Sequence, residues 1–502
     1  MRNKQIRGGI ILSGLSQIIS IIVGLVYQPI MIGYLGQSEY GLYQLVLSLV
    51  NYLNLMNFGF NGAYIRYYTL AKSKGEDEVS KVNGMFLTVF LFIAILCIGV
   101  GTVLYFNIGI LGNQLTAEDY AIARKLLVLM VFNVAISFPN SLYIAYMSAE
   151  SEFIKQKAWN IIINILTPIL NLPLLKLGFG SVGVVTVSLA LTIFRFFVNV
   201  FICKADLHIK TKYFYFDKTI FKSLLGYTFF IFLSDLVDQL NSNVDKFLLG
   251  RIMGTIAVAV YSVGFNLKNY YTQATWVIPE MYIPEVNRLA IDEKNDDKLT
   301  ALFTKIGRYN NYIVLLIITG FALIGRQFIS LWVGNEYAMS YYAGLILMLA
   351  GYIPAVQTLG VNIQNAKNLH QVRSIVYFFV ACVNVILSIG LIHKWGVVGT
   401  CLGTLFATLA GHGLFMNYYY KKYVGLNISY FWKTLAKWYP FAIVIYLFGL
   451  LVTKVCEINS WQAIILFVIV YVIVYGIILL LFGLNDDERS KIKYKMQIIR
   501  RQ

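Results

Sequence analysis

The stretch KLGFGSVGVVTVS (Lys176–Ser188) decides the fold, because it recurs later in the chain as IHKWGVVGTCLGT (Ile392–Thr404). Two pairs of glycines match between the copies: Gly180 with Gly396 and Gly183 with Gly399. A second pair of similar segments precedes the two copies: SAESEFIKQK in residues 148–157 and QNAKNLHQVR in residues 364–373. Self-similarity over such a distance predicts that the chain contains a duplicated structural unit.

The composition places that unit in a membrane. The 502 residues are 58% hydrophobic and 13% charged, with a mean hydropathy of +0.68. A membrane-spanning helix needs about 20 mostly apolar residues, because its backbone polar groups must be satisfied within the segment. Windows of this size predict about fourteen spans, near residues 8–34, 40–63, 82–106, 121–148, 158–176, 181–203, 220–250, 255–278, 303–325, 341–365, 373–393, 397–419, 434–453 and 460–483.

An even number of predicted helices separates the two copies, so both lie between spans of the same orientation. The sequence therefore predicts an all-α polytopic membrane protein with two parallel six-helix repeats and two added C-terminal helices. We place the N-terminal lobe at 1–215, the C-terminal lobe at 216–425, and the added helices with a basic cytoplasmic tail at 426–502. Transporters with such repeats form a substrate cavity between their halves, and we expect one here.

The net charge of +17 is best explained by topology. Most of the 41 lysines and arginines fall in the tails and in the loops on one predicted side, with Arg66 near the same face. This bias predicts that both termini are cytoplasmic. Nucleic-acid binding is disfavoured, because no soluble basic module interrupts the spans. The basic segments are Arg2–Arg7, Lys72–Lys81, Lys155–Lys157, Lys204–Lys222, Arg288–Arg308, Lys367–Arg373, Lys421–Lys437 and Arg489–Arg501.

The sequence lacks the motifs that several common catalytic and binding sites require. Gly178–Gly183 fits GxGxxG but has no preceding strand, so a tight turn between helices is favoured over a dinucleotide site. There is no GxxxxGK[ST], hence no P-loop for ATP hydrolysis. The cysteines and histidines show no metal-ligand spacing. We therefore predict no enzyme activity, no metal and no cofactor other than H⁺ or Na⁺ as a coupling ion.

The predicted seventh helix is amphipathic in SDLVDQLNSNVDKFLLG (Ser234–Gly250). Its polar side chains share one face: Asp235, Asp238, Gln239, Ser242, Asp245 and Lys246. If Lys222 marks the inner interface, Asp235 and Asp238 lie near the bilayer midplane, whereas Asp245 and Lys246 approach the outer headgroups. We expect the first two alone to be costly to bury and to face an aqueous cavity, where they are candidates for binding a coupling ion.

Two cations are predicted at similar depth: Arg195 in the sixth helix and Lys268 in the eighth. A charge there costs at least ~2.5–3.5 kcal/mol, so it normally faces a cavity or a partner. One interpretation is an Arg195–Asp235 or Lys268–Asp238 ion pair that locks the halves. The other is a cationic site for an anionic substrate, with carboxylates that bind H⁺ or Na⁺.

Asparagines add polar stripes to two further helices. Asn51 and Asn54 lie in the second predicted span and Asn164 in the fifth. Amides both donate and accept hydrogen bonds, which suits sugar hydroxyls. The alternative for each asparagine is a hydrogen bond between helices.

Two segments resemble the signatures of the polysaccharide transport family, which is similar to the wider multidrug, oligosaccharidyl-lipid and polysaccharide exporter superfamily. They are YLGQSEYGLYQLVLSLVNYLNLMNFGFNGAYIRYY (Tyr34–Tyr68) and VDKFLLGRIMGTIAVAVYSVGFNL (Val244–Leu267). The positions that match the motifs are Arg66, Asp245, Lys246 and Tyr261. One departure is that the interval from the Leu-Gly pair to the following tyrosine is four residues longer in the second segment.

The resemblance implies a flippase in the cytoplasmic membrane. It would move polyprenyl-diphosphate-linked oligosaccharide from the inner to the outer leaflet by alternating access, for capsule, O-antigen or exopolysaccharide synthesis. Glycosyltransferases and a glycan polymerase would be its partners. The substrate-binding candidates are Arg66, which matches a motif, and five residues chosen by their placement along the helices: Arg195, Lys268, Asn51, Asn54 and Asn164. Two alternatives are a cation-coupled drug or small-molecule exporter of the same superfamily and, disfavoured by the short outer loops, a membrane-embedded glycan polymerase.

Overall fold

The computed structural model of the protein describes residues 2–291, 295–367, 369–484 and 488, without the side chains of residues 2–11, 225, 227, 230 and 370. The basic tail from Arg489 onward, Lys294 and the side chains of Arg2, Lys4 and Arg7 lie outside the described residues. All regular structure within the described ranges is helical. The prediction of an all-α fold is confirmed.

The first half contains six α-helices, which are α1 (Arg2–Asn51), α2 (Phe60–Lys72), α3 (Glu76–Phe106), α4 (Ala117–Ala149), α5 (Phe153–Lys176) and α6 (Gly180–Phe201). The second half contains α7 (Lys218–Met253), α8 (Thr255–Met281), α9 (Ile283–Leu289), α10 (Asp296–Val333), α11 (Met339–Ala350), α12 (Tyr352–Val356), α13 (Thr358–Ala366), α14 (His370–Thr408) and α15 (Asn417–Tyr419). The chain ends with α16 (Ile428–Ala436), α17 (Tyr439–Val455) and α18 (Trp461–Ile478).

Nine helical segments of the described part are long and apolar enough to cross a membrane. Two of these, Leu12–Lys72 and Gln371–Val424, contain a non-helical glycine, Gly36 or Gly396, and so account for two passes each. The segments α7, α8 and α11–α13 are outside these nine and correspond to three further predicted spans. This agrees with the fourteen predicted spans and makes the chain a multi-pass membrane protein.

Turn glycines recur between the halves. Gly36 has φ 71° and ψ 174°, and Gly254 has φ 85° and ψ −175°. Both positions use the positive φ that glycine tolerates without a steric penalty. The turn of the second half is therefore at Gly254 and not at Gly250. Gly254 precedes Tyr261 by the same interval that separates Gly36 from Tyr43, so the apparent four-residue departure was an error of alignment.

The sequence copies that revealed the repeat also share a backbone conformation. Gly180 and Gly396 have φ 58° and 54°, and each lies at the sharp turn between two membrane helices. The GxGxxG match is thus a helix–helix turn, as predicted. The lobe boundaries at 215 and 425 stay predictions.

The halves meet along α1, which packs against α7 and α8. The close approach requires Gly41, because a Cβ there would lie 2.0 Å from the carbonyl oxygen of Thr255. Hydrogen bonds extend along the whole α1–α8 seam: Gln17 Nε2 to Glu280 Oε1 at 3.3 Å, Tyr270 Oη to Gln28 Oε1 at 3.3 Å, and the hydroxyls of Ser38 and Thr255 at 2.9 Å. The described structure therefore has its lobes joined on this side.

The helices α17 and α18 form a separate apolar cluster against α10. Tyr475 Oη donates to the Tyr312 carbonyl at 2.8 Å, and Trp438 Nε1 donates to Tyr475 Oη at 2.8 Å. Tyr471 Oη donates to Thr319 Oγ1 at 2.7 Å. The added helices are thus fixed to the second half.

Candidate functional site

A cavity of about 520 Å³ lies inside the second half. The helices α7, α8 and α14 surround it, together with α12, α13 and a π-helical segment, Leu409–Met416, that continues α14. Its polar and aromatic lining includes Asp238, Asn241, Lys268, Trp276, Gln357, Arg373, Tyr377, Asn384, His412 and Tyr420. The sequence predicted a cavity between the halves, whereas every residue that lines this cavity belongs to the second half.

Asp238 and Lys268 both face the cavity, as predicted. Lys268 Nζ lies 5.4 Å from the centre of the Phe265 ring, a cation–π distance. The predicted Lys268–Asp238 ion pair does not form within 4.0 Å among the described residues. A lysine and a carboxylate that share a cavity without pairing are both able to contact a ligand.

Asp235 is exposed and does not line the cavity, although its neighbour Ser234 does. The hydroxyls of Ser234 and Ser374 are 2.6 Å apart, which ties α7 to α14 at this level. The structure therefore separates the two aspartates that the sequence grouped together. Of the pair, Asp238 is the one positioned to meet a ligand in this cavity.

Arg195 belongs to the first half. Its Nη2 donates to Asn160 Oδ1 at 2.6 Å, and its Nε is buried without a hydrogen-bond partner. The predicted Arg195–Asp235 ion pair does not occur among the described side chains. Arg195 thus holds α6 against α5, and it does not line the cavity that contains Lys268.

The remaining predicted substrate contacts are dispersed. Arg66 and Asn54 are exposed, and Asn164 is half-buried on α5. Asn51 Nδ2 donates to Asn243 Oδ1 at 3.2 Å, so this residue joins α1 to α7. The structure does not place any of the four on the lining of the second-half cavity.

Asp245 is fully buried, with 0% of its surface exposed. Its carboxylate accepts hydrogen bonds from Tyr261 Oη at 2.9 Å, Thr404 Oγ1 at 3.0 Å and Ser388 Oγ at 3.2 Å. The expectation that Asp235 and Asp238 alone are costly to bury is wrong, whereas the position of Asp245 near the outer headgroups stays a prediction. Three hydroxyl donors from α8 and α14 offset the cost of burying the carboxylate.

Lys246 is also buried by protein, so it too is a charge that is costly to bury. Its Nζ donates to Gln44 Oε1 at 3.3 Å and lies 4.8 Å from the centre of the Phe265 ring. Gln44 Nε2 in turn donates to Tyr40 Oη at 3.2 Å, and Asn266 Nδ2 lies 3.3 Å from the same oxygen. These contacts form a polar network between the halves.

Residues 12–341 match the model of the family described as polysaccharide biosynthesis protein. The chain belongs to this family. Membership confirms the resemblance to polysaccharide flippases of the exporter superfamily that the two sequence signatures indicated.

Two named relatives of this family member are distant in sequence. An uncharacterized membrane protein in the cps region of Klebsiella pneumoniae is 22% identical over 354 residues, which cover 68% of this chain and 66% of that protein, slightly less than two thirds. The probable flippase AglR of Haloferax volcanii is 20% identical over 397 residues, which cover 78% of each chain.

The fold is shared with solved transporters. The lipid II flippase MurJ in an inward closed conformation aligns with a TM-score of 0.72 and 18% identity, covering 93% of this chain and 98% of MurJ. An inward-facing multidrug MATE transporter aligns with a TM-score of 0.64 and 15% identity, covering 84% of this chain and 99% of that one. These relatives are named as flippases and transporters, in agreement with the prediction that the chain is not an enzyme.

The first-half family signature has a structural role. Glu39 Oε1 accepts from the backbone nitrogen and the hydroxyl of Ser181, at 2.7 and 2.6 Å, and thereby occupies the N-terminal end of α6. Tyr40 is fully buried at the centre of the network between the halves, and Gly41 permits the contact with Thr255. Tyr40 and Lys246 therefore link the signatures of the two halves through Gln44.

Sequence reasoning missed Arg373, which it counted as a residue of a cytoplasmic loop, and His412, which it interpreted as structural. Both line the cavity. It also missed Ser388 and Thr404, the hydroxyls around Asp245. Polar residues at i and i+4, such as Asn384 and Ser388, give some signal of a helix face that packs on a polar partner. Among the described residues, no group of three or more His, Cys, Asp or Glu side chains could hold a metal ion.

Proposed function

We propose that the protein is a flippase that moves polyprenyl-diphosphate-linked oligosaccharide from the inner to the outer leaflet of the cytoplasmic membrane. The observation that carries the proposal is the second-half cavity, in which Lys268 has no ion-pair partner among the described residues and lies beside amide and aromatic side chains. Family membership and the fold shared with flippases support it.

The chemistry of the lining suits such a head group. An ammonium group in a cavity surrounded by protein of low dielectric constant attracts a diphosphate more strongly than it would in bulk water. The amides of Asn241, Gln357 and Asn384 can donate to and accept from sugar hydroxyls. The lipid tail has no polar groups and can remain in the bilayer while the head group crosses between the lobes.

The proposal includes an orientation and partners. Both termini lie in the cytoplasm, because the basic loops then follow the positive-inside rule. Glycosyltransferases supply the lipid-linked glycan at the inner leaflet, and a polymerase uses it at the outer leaflet. Transport proceeds by alternating access of the two lobes, with the polar α1–α8 seam as one of the contacts that must rearrange.

Ion coupling is a separate element of the proposal. Asp238 in the cavity and Asp235 beside it are candidates to bind H⁺ or Na⁺. The buried Asp245 is a third, because the hydroxyl oxygens of Ser388 and Thr404 contact its carboxylate and Asn384 Oδ1 lies 3.3 Å from Ser388 Oγ. Transport that is unchanged when both the proton and the sodium gradients are collapsed would contradict ion coupling.

The direct test is delivery of lipid-linked glycan to the outer leaflet in cells that depend on this protein. Lys268→Ala is expected to abolish delivery while the protein still inserts in the membrane. Arg195→Ala, outside this cavity, tests the first-half cation as a separate substrate contact, and the same loss is expected. Lys454→Ala, at the exposed end of α17, is the matched control and should leave delivery unchanged. Normal glycan display in both test variants would refute the assignment of these sites.

A cation-coupled exporter of drugs or small molecules is the second candidate. The likeness to multidrug MATE transporters and the aspartate in the cavity favour it. Cells that express the protein would then extrude cationic dyes and resist them, and Asp238→Asn would remove this resistance. The less favoured glycan polymerase would instead lengthen lipid-linked glycan in detergent as purified protein.

A further inference from the structure

Arg373 enters the cavity from the start of α14. Its Nη1 is buried and has no hydrogen-bond partner in the described structure, and the guanidinium forms no ion pair there. A buried donor without a partner costs free energy, and a buried unpaired cation costs more. The arrangement becomes favourable when an acceptor with negative charge occupies the cavity.

The groups around Arg373 make this part of the cavity cationic. Lys268 faces the same space from α8, and Asp238 is the carboxylate that interacts electrostatically with both cations. His412 Nδ1 lies 3.1 Å from Tyr377 Oη, with the two rings 4.4 Å apart. The cavity lining itself carries two cations and one carboxylate next to ring and hydroxyl groups, and Asp235 interacts with Asp238 from outside this lining.

A local distortion of the helix brings His412 to this place. It lies in the π-helical segment Leu409–Met416. A π-helical turn inserts an extra residue into an α-helix, and such insertions are frequent at functional sites. In the first half α6 is α-helical throughout Gly180–Phe201. Both halves end in a π-helical turn, at Ile202–Asp206 and Tyr420–Val424. The distortion at His412 therefore belongs to the second half, as does the cavity.

We propose that Arg373, Lys268 and the His412–Tyr377 pair form a subsite that binds an oxyanion of the translocated head group. The oxyanion is either the diphosphate or a carboxylate on an acidic sugar. Arg373 is the anchor, because its planar donor fork matches both groups in a bidentate manner. This inference rests on the proposed function and specifies which part of the substrate the second lobe holds.

The test is calorimetric binding to the full-length protein in lipid nanodiscs, with inorganic pyrophosphate, glucuronate and glucose as probes. Arg373→Gln is expected to raise the dissociation constant of pyrophosphate or of glucuronate at least about tenfold, because a hydrogen bond from a charged donor is lost. Arg373→Lys should give an intermediate loss, since it keeps the charge without the fork. Arg124→Gln, an exposed arginine on α4, should bind like the wild type.

The probe that responds identifies the source: pyrophosphate indicates the lipid diphosphate, and glucuronate indicates an acidic sugar. Glucose binding should be the same in all variants. If Arg373→Gln does not fold, the binding measured with Arg373→Lys decides whether Arg373 holds the oxyanion. The inference is overturned if the wild type binds neither oxyanion, or if binding of both is unaffected by the Arg373 variants.

Delivery of lipid-linked glycan, measured in parallel, separates this inference from the proposed function. Oxyanion binding that depends on Arg373 in a protein that delivers no glycan would refute the flippase assignment and retain the subsite. Normal delivery by Arg373→Gln, with unchanged oxyanion binding, would refute the subsite alone.

Discussion

Lys246 Nζ donates to Gln44 Oε1 across 3.3 Å, and this bond joins the two halves of the protein within a buried network. Lys246 belongs to the second-half signature, and Gln44 lies within the first-half signature on the same helix as Tyr40. The bond also accounts for a buried lysine that has no carboxylate partner within the described structure, because amide oxygen and the Phe265 ring face the ammonium group.

A double-mutant cycle with Gln44→Ala and Lys246→Ala tests this relationship. We expect a coupling free energy of about 0.5–1.7 kcal/mol, the range of hydrogen bonds between membrane helices. The measurement is thermal or denaturant unfolding of the purified variants in detergent. A cycle of Gln44→Ala with Lys454→Ala should show no coupling. Equal results for both cycles would mean that the Gln44–Lys246 contact is not formed.

The turn glycines give a second prediction. Gly36→Ala meets no atom within 4 Å, so its cost is the positive φ alone, about 1–2 kcal/mol of unfolding free energy. Gly254→Ala has only Gln114 Cβ at 3.5 Å and should cost a similar amount. Gly33→Ala, which also has free space, is the control and should stabilise α1 by up to about 1 kcal/mol. A neutral result at Gly254 would place the second-half turn elsewhere.

Gly41→Ala should have a larger effect than either turn variant. Its Cβ would lie 2.0 Å from the Thr255 carbonyl oxygen, so α1 and α8 must separate or the backbone must shift. We expect a loss of more than about 2 kcal/mol in the unfolding free energy, as for an overpacked core. Cysteine cross-linking between positions 38 and 255 should become inefficient in this variant. Gly62→Ala, which meets no neighbouring atom, should cross-link like the wild type.

Asp245→Asn provides the fourth prediction. The substitution conserves the size of the side chain, but its amide nitrogen faces hydroxyls that donate to the native carboxylate. We expect a loss of about 1–3 kcal/mol in the unfolding free energy, the cost of unsatisfied buried polar groups. The exposed Asp235→Asn should change the same free energy by less than about 0.5 kcal/mol. Two equal values would contradict the difference in burial between these aspartates.

Most residues of the candidate site are brought together by the packing of the second-half helices, and fewer by the first-half signature. Asp238 was predicted to face a cavity from the periodicity and depth of its own helix, and Lys268 was predicted to face a cavity or a partner from its depth in the next one. Arg373 was assigned to a loop because it stands at the very start of the predicted span 373–393, and its position in the cavity depends on how α14 packs against α7. Sequence separation hides this kind of contact: Ser388 and Asp245 are 143 residues apart.

The sequence by itself determined the membrane fold, the approximate positions of the spans, the parallel repeat and the family. It could do so because a bilayer imposes about 20 apolar residues per helix, and because a duplication preserves turn glycines. The amphipathic face of α7 was equally visible, since the polar residues of a helix recur with its period.

Only the tertiary structure decided which polar residues are buried and which face the cavity. Helical periodicity defines a polar face, but the neighbour that covers this face comes from elsewhere in the chain. Thus Asp245 is buried because α8 and α14 supply three hydroxyl donors, while Asp235, on the same helix, is exposed. The π-helical segment that places His412 beside Tyr377 has a local hydrogen-bond pattern that residue spacing alone does not reveal.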